Sequence, residues 1–115
     1  MSWAQDLLSR GYAFTAHEVL ESVWKSRPGE ESMLWQGLAQ LAVGITHVQR
    51  RNTKGAIALL ERAAARIGHS RSAAPHHIDS NGLVRYAEEL MDLLHREEEP
   101  TPDRLVPRLT HTQIR

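Results

Sequence analysis

The stretch "LWQGLAQLAVGITHV", residues 34 to 48, decides the fold class. Apolar residues recur in it at spacings of three and four, which is the period of one face of an α-helix. This apolar row consists of Leu34, Leu38, Leu41, Ile45 and Val48. Gly37 and Gly44 lie beside it, and a glycine costs an exposed helix about 1 kcal/mol relative to alanine. Two glycines in one helix therefore indicate a neighbour packed against its backbone, and we expect this helix to be central.

The same helical period continues on both sides of this stretch. A short first helix contains Trp3 and Leu7 and should end at Gly11, because glycine readily adopts the left-handed conformation found just past a helix end. Further helices are predicted over residues 12 to 27, 30 to 51, 52 to 67 and about 79 to 99. Gly68 should close the fourth of these. No strand pattern interrupts them, so the sequence predicts an all-α fold.

The predicted architecture is a compact bundle of about five helices. The segments "FTAHEVLESVW" and "KGAIALLERAA" share Ala, Leu and Glu in step forty residues apart, which is compatible with two stacked helical hairpins. We expect residues 1–99 to form a single helical domain. The remaining segment, residues 100–115, has three prolines in its first eight positions and is predicted to be an extended or disordered tail.

Composition excludes several classes of function. The chain of 115 residues has 14 Lys and Arg against 14 Asp and Glu, so it lacks the cationic excess of a dedicated nucleic-acid binder. Cysteine is absent, which excludes disulfides, thiolate metal sites and cysteine nucleophiles. No segment approaches the length of an apolar membrane span. We therefore expect a cytoplasmic protein that does not bind membranes or nucleic acid.

Charge is nevertheless uneven along the chain. Residues 50 to 71 contain six basic residues against one glutamate, a net charge of +5, and residues 88 to 99 contain six acidic residues against one arginine, a net charge of −5. These two blocks are interpreted as solvated faces that attract each other within the fold. A basic patch for RNA or an acidic partner is the alternative.

The main candidate site begins in "AHEVLESVW", residues 16 to 24. His17 and Glu21 are four residues apart, so they lie together on the shoulder of the buried face, and Trp24 extends the same row. A second row on the central helix consists of Gln36, Gln40, Val43 and His47. If the two rows face each other, the domain contains a polar pocket between its second and third helices.

Three spaced blocks, "GYAFTAHEVLESVW", "WQGLAQLAVGITHVQRRN" and "KGAIALLERA", together resemble the small all-helical proteins grouped as domain of unknown function 309. The resemblance covers roughly residues 8 to 95. It implies a compact multi-helix bundle with characteristic positions at His17, Glu18, Glu21, Trp24, Gln36, Gly37, Gln40, His47 and Asn52. The Gly-Asn of that family before the fourth helix appears here as Arg51-Asn52, and the resemblance implies no reaction.

Three interpretations of the polar rows stay open. In the first, these residues pair across the helices and fix how the helices dock, because a buried polar group left unpaired costs about 1 to 3 kcal/mol. In the second, His17, Glu21 and His47 hold a divalent metal ion, which is the cofactor that this alternative requires. In the third, Glu21 or His17 activates a water molecule without a metal.

The functional prediction is a binding or interaction module with an unidentified protein or small-molecule partner. The alternative is a small metal-assisted or acid/base hydrolase that uses His17, Glu21 and His47. A weaker metal candidate is the loop "PHHID", residues 75 to 79, in which two adjacent histidines are more simply explained by exposure to solvent.

Overall fold

The computed structural model describes residues 2–26, 29–70 and 77–110, apart from the side chains of residues 2 and 30. In these ranges the chain forms five α-helices and no strand, which confirms the all-α prediction. The helices are α1 (Ser2–Ser9), α2 (Ala13–Ser26), α3 (Glu30–Gln49), α4 (Thr53–His69) and α5 (Ser80–His95). A 3-10 turn follows at Pro102–Leu105, and Ile78 and Thr110 form an isolated antiparallel bridge.

The helices pack mainly against their neighbours in the chain. α3 lies between α2 and α4, α5 packs on α4, and α1 packs on α2, so the expected central position of α3 is confirmed. The core they enclose is aliphatic, and Leu20, Leu38 and Leu60 are among its fully buried side chains. No helix in the described ranges has the length and apolar character needed to cross a bilayer.

The two glycines of α3 face α4. A Cβ atom added to Gly37 would lie 2.9 Å from Cγ1 of Ile67, and one added to Gly44 would lie 3.0 Å from Cγ of Leu60. Larger side chains at these positions would force the helices apart. The glycines therefore bring the backbone of α3 against α4, which confirms the reason for expecting α3 at the centre.

Helix ends depart from the predictions in two places. The prediction that Gly68 closes α4 is wrong, because the helix continues to His69. The last helix ends at His95 and not near residue 99, and Glu97 just beyond it has a left-handed φ of 60°. Asn52 caps α4, since its side chain accepts a hydrogen bond of 3.1 Å from the backbone N–H of Gly55.

Residues 100–110 return to the bundle. The side chain of Gln5 on α1 donates a hydrogen bond to the carbonyl of Pro107 and accepts one from the backbone N–H of Leu109, both at 2.9 Å. Leu109 itself is buried in the core. This part of the predicted tail is therefore held against the helices, and it contains the 3-10 turn at Pro102–Leu105. The last five residues of the tail lie outside the described ranges.

Tyr86 on α5 also attaches the C-terminal segment to the bundle. Its hydroxyl donates a hydrogen bond of 2.6 Å to the carbonyl of Arg104 in the 3-10 turn. Burial raises the pKa of the Tyr86 phenol, because the charged form would lose its solvation there.

Two predictions concern residues outside the described ranges. The stop of the second helix at Pro28 is one. Most of the loop between the fourth and fifth helices, including Pro75 and His76 of the weaker metal candidate, is the other. His77 of that candidate is exposed and has a left-handed φ of 59°.

Candidate functional site

The α2 side of the candidate site is a histidine–carboxylate pair. Nε2 of His17 lies 3.7 Å from Oε1 of Glu21, and the side chains are 20% and 40% exposed. This distance is too long for a hydrogen bond, so the contact is a loose ion pair when the histidine is protonated. Nδ1 of His17 is buried and has no hydrogen-bond partner among the described residues.

The other two predicted residues of α2 differ in exposure. Glu18 is exposed, whereas Trp24 is partly buried and packs against the core. Trp24 therefore contributes mainly to packing, and Glu18 is available only at the surface.

The α3 side consists of partly buried polar residues. Gln36, Gln40 and His47 are all partly buried. Oε1 of Gln40 is buried and finds no hydrogen-bond partner within the described part of the chain. Nδ1 of His47 lies 3.1 Å from Nδ2 of Asn52, so one end of this row is tied to the residue that caps α4.

Two contacts join the start of α2 to the end of α3. The guanidinium carbon of Arg50 lies 5.1 Å from the centre of the Phe14 ring, which is a cation–π arrangement. The side chain of Gln49 donates a hydrogen bond of 3.1 Å to the carbonyl of Gly11. The Phe14 ring is 45% exposed and its centre lies 5.7 Å from that of the His17 ring. The helices are therefore antiparallel, with Phe14 beside the histidine.

The sequence analysis did not identify Phe14 and Arg50 as site residues. The available signal was an aromatic residue at position 14, outside the apolar stripe of α2, where a polar side chain would be expected. Its partner on α3 could not be read from the sequence, because that requires knowing how the two helices dock.

The candidate metal ligands fall into separate contacts. His17 lies beside Glu21, whereas the His47 ring contacts Asn52. Within the described ranges there is no group of three His, Asp or Glu side chains placed to hold a metal ion. The three-ligand set of His17, Glu21 and His47 therefore stays a hypothesis.

One ion pair links the two charged blocks. Nη2 of Arg51 lies 2.9 Å from Oε2 of Glu99, and both side chains are largely exposed. The pair joins the turn before α4 to the segment after α5, which is a contact of the kind expected between the blocks. Exposed pairs contribute at most about 1 kcal/mol.

Comparison with known proteins identifies the family. The family described as Domain of unknown function (DUF309) matches residues 1–59, which comprise α1, α2, α3 and the first part of α4. The chain belongs to the DUF309 family. The match includes all the predicted residues of the candidate site and ends within α4, whereas the resemblance seen in the sequence was expected to continue to about residue 95.

A curated relative is also uncharacterised. The chain is 44% identical over 48 residues to the uncharacterized protein YpuF of Bacillus subtilis strain 168. The matched segment spans 41% of this chain and 28% of that protein, so most of the relative has no counterpart in the match. No solved structure matches the chain.

Proposed function

We propose that this DUF309 domain is a binding module whose partner contacts the polar groove between α2 and α3. We define the α2–α3 groove by the six predicted residues that are partly buried, His17, Glu21, Trp24, Gln36, Gln40 and His47. The observation that carries the proposal is a pair of buried polar atoms, Nδ1 of His17 and Oε1 of Gln40, one on each helix, for which the described residues supply no hydrogen-bond partner. Such atoms cost about 1 to 3 kcal/mol of stability each, and a bound partner can supply the missing hydrogen bonds.

Helix geometry supports the proposal that the polar rows of α2 and α3 lie on neighbouring sides of these helices. At about 100° per residue, Gln36, Gln40 and His47 lie about 60° to 100° around α3 from Gly37, which faces α4. Further in the same direction, past Val43, lies Arg50 at about 140°, which contacts Phe14 on α2. The row therefore lies on the outer side of α3, opposite the buried Leu38 and Ile45. On this side it runs from the edge of α3 that contacts α4 to the edge at which Arg50 contacts Phe14, which supports a position beside α2.

The rim of the groove supports a protein partner. Phe14 is half exposed and lies under Arg50. Aromatic and arginine side chains are enriched at the centre of protein interfaces, where they contribute most of the binding energy. A small polar molecule is the other outcome of the test.

The hydrolase alternative, with His17, Glu21 and His47, has no further support in the described contacts. A cytoplasmic location also stays a prediction.

A photo-crosslinking experiment with a matched control tests the proposal. Phe14 and Tyr12 are both exposed aromatic residues near the start of α2, but Phe14 lies on the helix beside the His17 ring, whereas Tyr12 precedes the helix. We expect p-benzoylphenylalanine at position 14 to crosslink a discrete partner in cells, and the same residue at position 12 to give none.

Crosslinking of this partner should also depend on the residues of the groove. Gln40→Met should abolish the crosslink from position 14 while leaving the helical circular dichroism unchanged. Equal crosslinking from both positions, or none from position 14, would contradict the proposal. Native mass spectrometry of the untreated protein tests the hydrolase alternative. A stoichiometric metal ion that is lost in His17→Ala and His47→Ala would favour the hydrolase.

A further inference from the structure

A concave site lies next to the contact between Gln49 and Gly11. It is a cleft of about 740 Å³ formed by the ends of α3 and α5, the turn before α4 and the returning C-terminal segment. Sites for small ligands commonly occupy about 300 to 1,000 Å³. Its apolar lining is Val48, Leu94, Leu105 and Val106. The cleft can therefore receive the apolar body of a ligand.

The charged part of the lining is strongly acidic. It contains Arg51 together with Glu97, Glu98 and Glu99, which gives a net charge of −2. Glu99 pairs with Arg51 and Glu98 pairs with Arg96 at 3.0 Å. Glu97 forms no ion pair with any described residue, so its carboxylate is uncompensated. An apolar surface beside an excess of carboxylates is complementary to a cation carried on an apolar body.

We propose that this cleft, the acidic cleft, binds a ligand in which an amine or guanidinium group is attached to an apolar body. The cation contacts Glu97 and competes with Arg51 for Glu99, while the apolar body packs on Val48 and Leu105. None of the six residues of the α2–α3 groove lines this cleft. It does include Gln49 and Gly11, whose hydrogen bond joins α3 to the start of α2. Two sources share this chemistry, a basic and apolar peptide segment and a small organic cation.

Titration with defined probes, followed by amide chemical shifts, tests the inference. One arm uses an alternating leucine–arginine pentapeptide and the other uses hexylguanidinium, so the arm that binds identifies the source. The matching leucine–glutamate peptide tests the charge, and spermidine tests the need for an apolar body. We expect saturable binding of at least one cationic apolar probe, with the largest shifts at Thr53, Glu97 and Leu105.

Two substitutions should change the affinity in opposite directions. Glu97→Gln removes the uncompensated carboxylate and should weaken binding about two- to fivefold, whereas Arg51→Ala frees Glu99 and should strengthen it by a similar factor. Glu88→Gln lies outside the cleft and is the matched control. The inference is overturned if no cationic probe saturates, if the glutamate peptide or spermidine binds equally well, or if the three variants behave alike.

Discussion

The glycine contact between α3 and α4 makes a quantitative prediction about Gly44. In an exposed helix, Gly→Ala stabilises by about 1 kcal/mol. Here the new Cβ would lie 3.0 Å from both Cγ and Cδ2 of Leu60 and 3.4 Å from its backbone nitrogen. Forcing an extra methyl group into a packed core costs about 1 to 3 kcal/mol. We therefore expect Gly44→Ala to lower the free energy of unfolding by about 0 to 2 kcal/mol.

A double-mutant cycle separates this clash from helix propensity. Leu60→Ala removes the two side-chain atoms nearest the new methyl group, and only the ordinary contact with the backbone nitrogen at 3.4 Å remains. Leu60→Ala alone should cost about 2 to 5 kcal/mol, because it leaves a cavity. In that background Gly44→Ala should instead stabilise by about 1 kcal/mol, so the coupling energy between the two sites should be about 1 to 3 kcal/mol.

Urea unfolding of the four proteins, followed by circular dichroism, measures the coupling. The reasoning is refuted if Gly44→Ala has the same effect in both backgrounds, or if it stabilises the unsubstituted protein by the full helix-propensity value. Either result would mean that α3 does not approach α4 through this glycine.

Three further predictions concern the C-terminal attachment, a strained residue and alkaline pH. Gln5→Ala removes both hydrogen bonds to the C-terminal segment, so it should lower the free energy of unfolding by about 1 to 3 kcal/mol and accelerate hydrogen exchange at the amide of Leu109. Unchanged exchange would contradict the attachment. Arg51 has a left-handed φ of 61°, a conformation in which only glycine avoids strain. Both Arg51→Gly and Arg51→Ala lose the ion pair with Glu99, so the glycine variant should be more stable by about 1 kcal/mol. Equal urea midpoints of the two variants would show that the turn is unstrained. Burial raises the pKa of Tyr86, so the unfolded chain releases this proton first and the free energy of unfolding should fall as pH rises above about 10. Tyr86→Phe should flatten this fall, and equal slopes in both proteins would rule out the linkage.

Local patterns in the sequence predicted the helices and the central position of α3. The period of three and four defines an apolar stripe, and the two glycines beside it required a close neighbour. Gly68 was misleading because a glycine is tolerated inside a helix when the capping contacts lie further along. Here α4 is ended by Ser70, whose hydroxyl donates a hydrogen bond of 2.8 Å to the carbonyl of Arg66. The charged residues after His95 are compatible with a helix, and their left-handed turn at Glu97 has no sequence signal.

The parts of the structure that depend on distant residues could not be predicted. Gln5 bonds to the carbonyl of Pro107, 102 positions away, and no periodicity links them. For the candidate site, the spacing of His17 and Glu21 predicted their proximity correctly. It could not show that one nitrogen of the imidazole is buried with no hydrogen-bond partner in the described part of the chain, because burial of a single atom depends on how neighbouring helices dock. The same limit applies to Arg50 over the Phe14 ring.

The free energy of unfolding of Gln40→Met and His17→Leu tests the central claim most directly, because it needs no knowledge of the partner. If the two unpartnered atoms serve binding, replacing them with apolar groups should leave stability unchanged or raise it by up to about 1 to 3 kcal/mol each. Thr46→Val is the control, since the buried Thr46 hydroxyl is satisfied by the carbonyl of Ala42 at 2.9 Å and its loss should destabilise the protein by about 1 kcal/mol. A fall of more than about 1 kcal/mol in both test variants, with a coupling energy between them, would instead make the groove a structural network that joins α2 to α3.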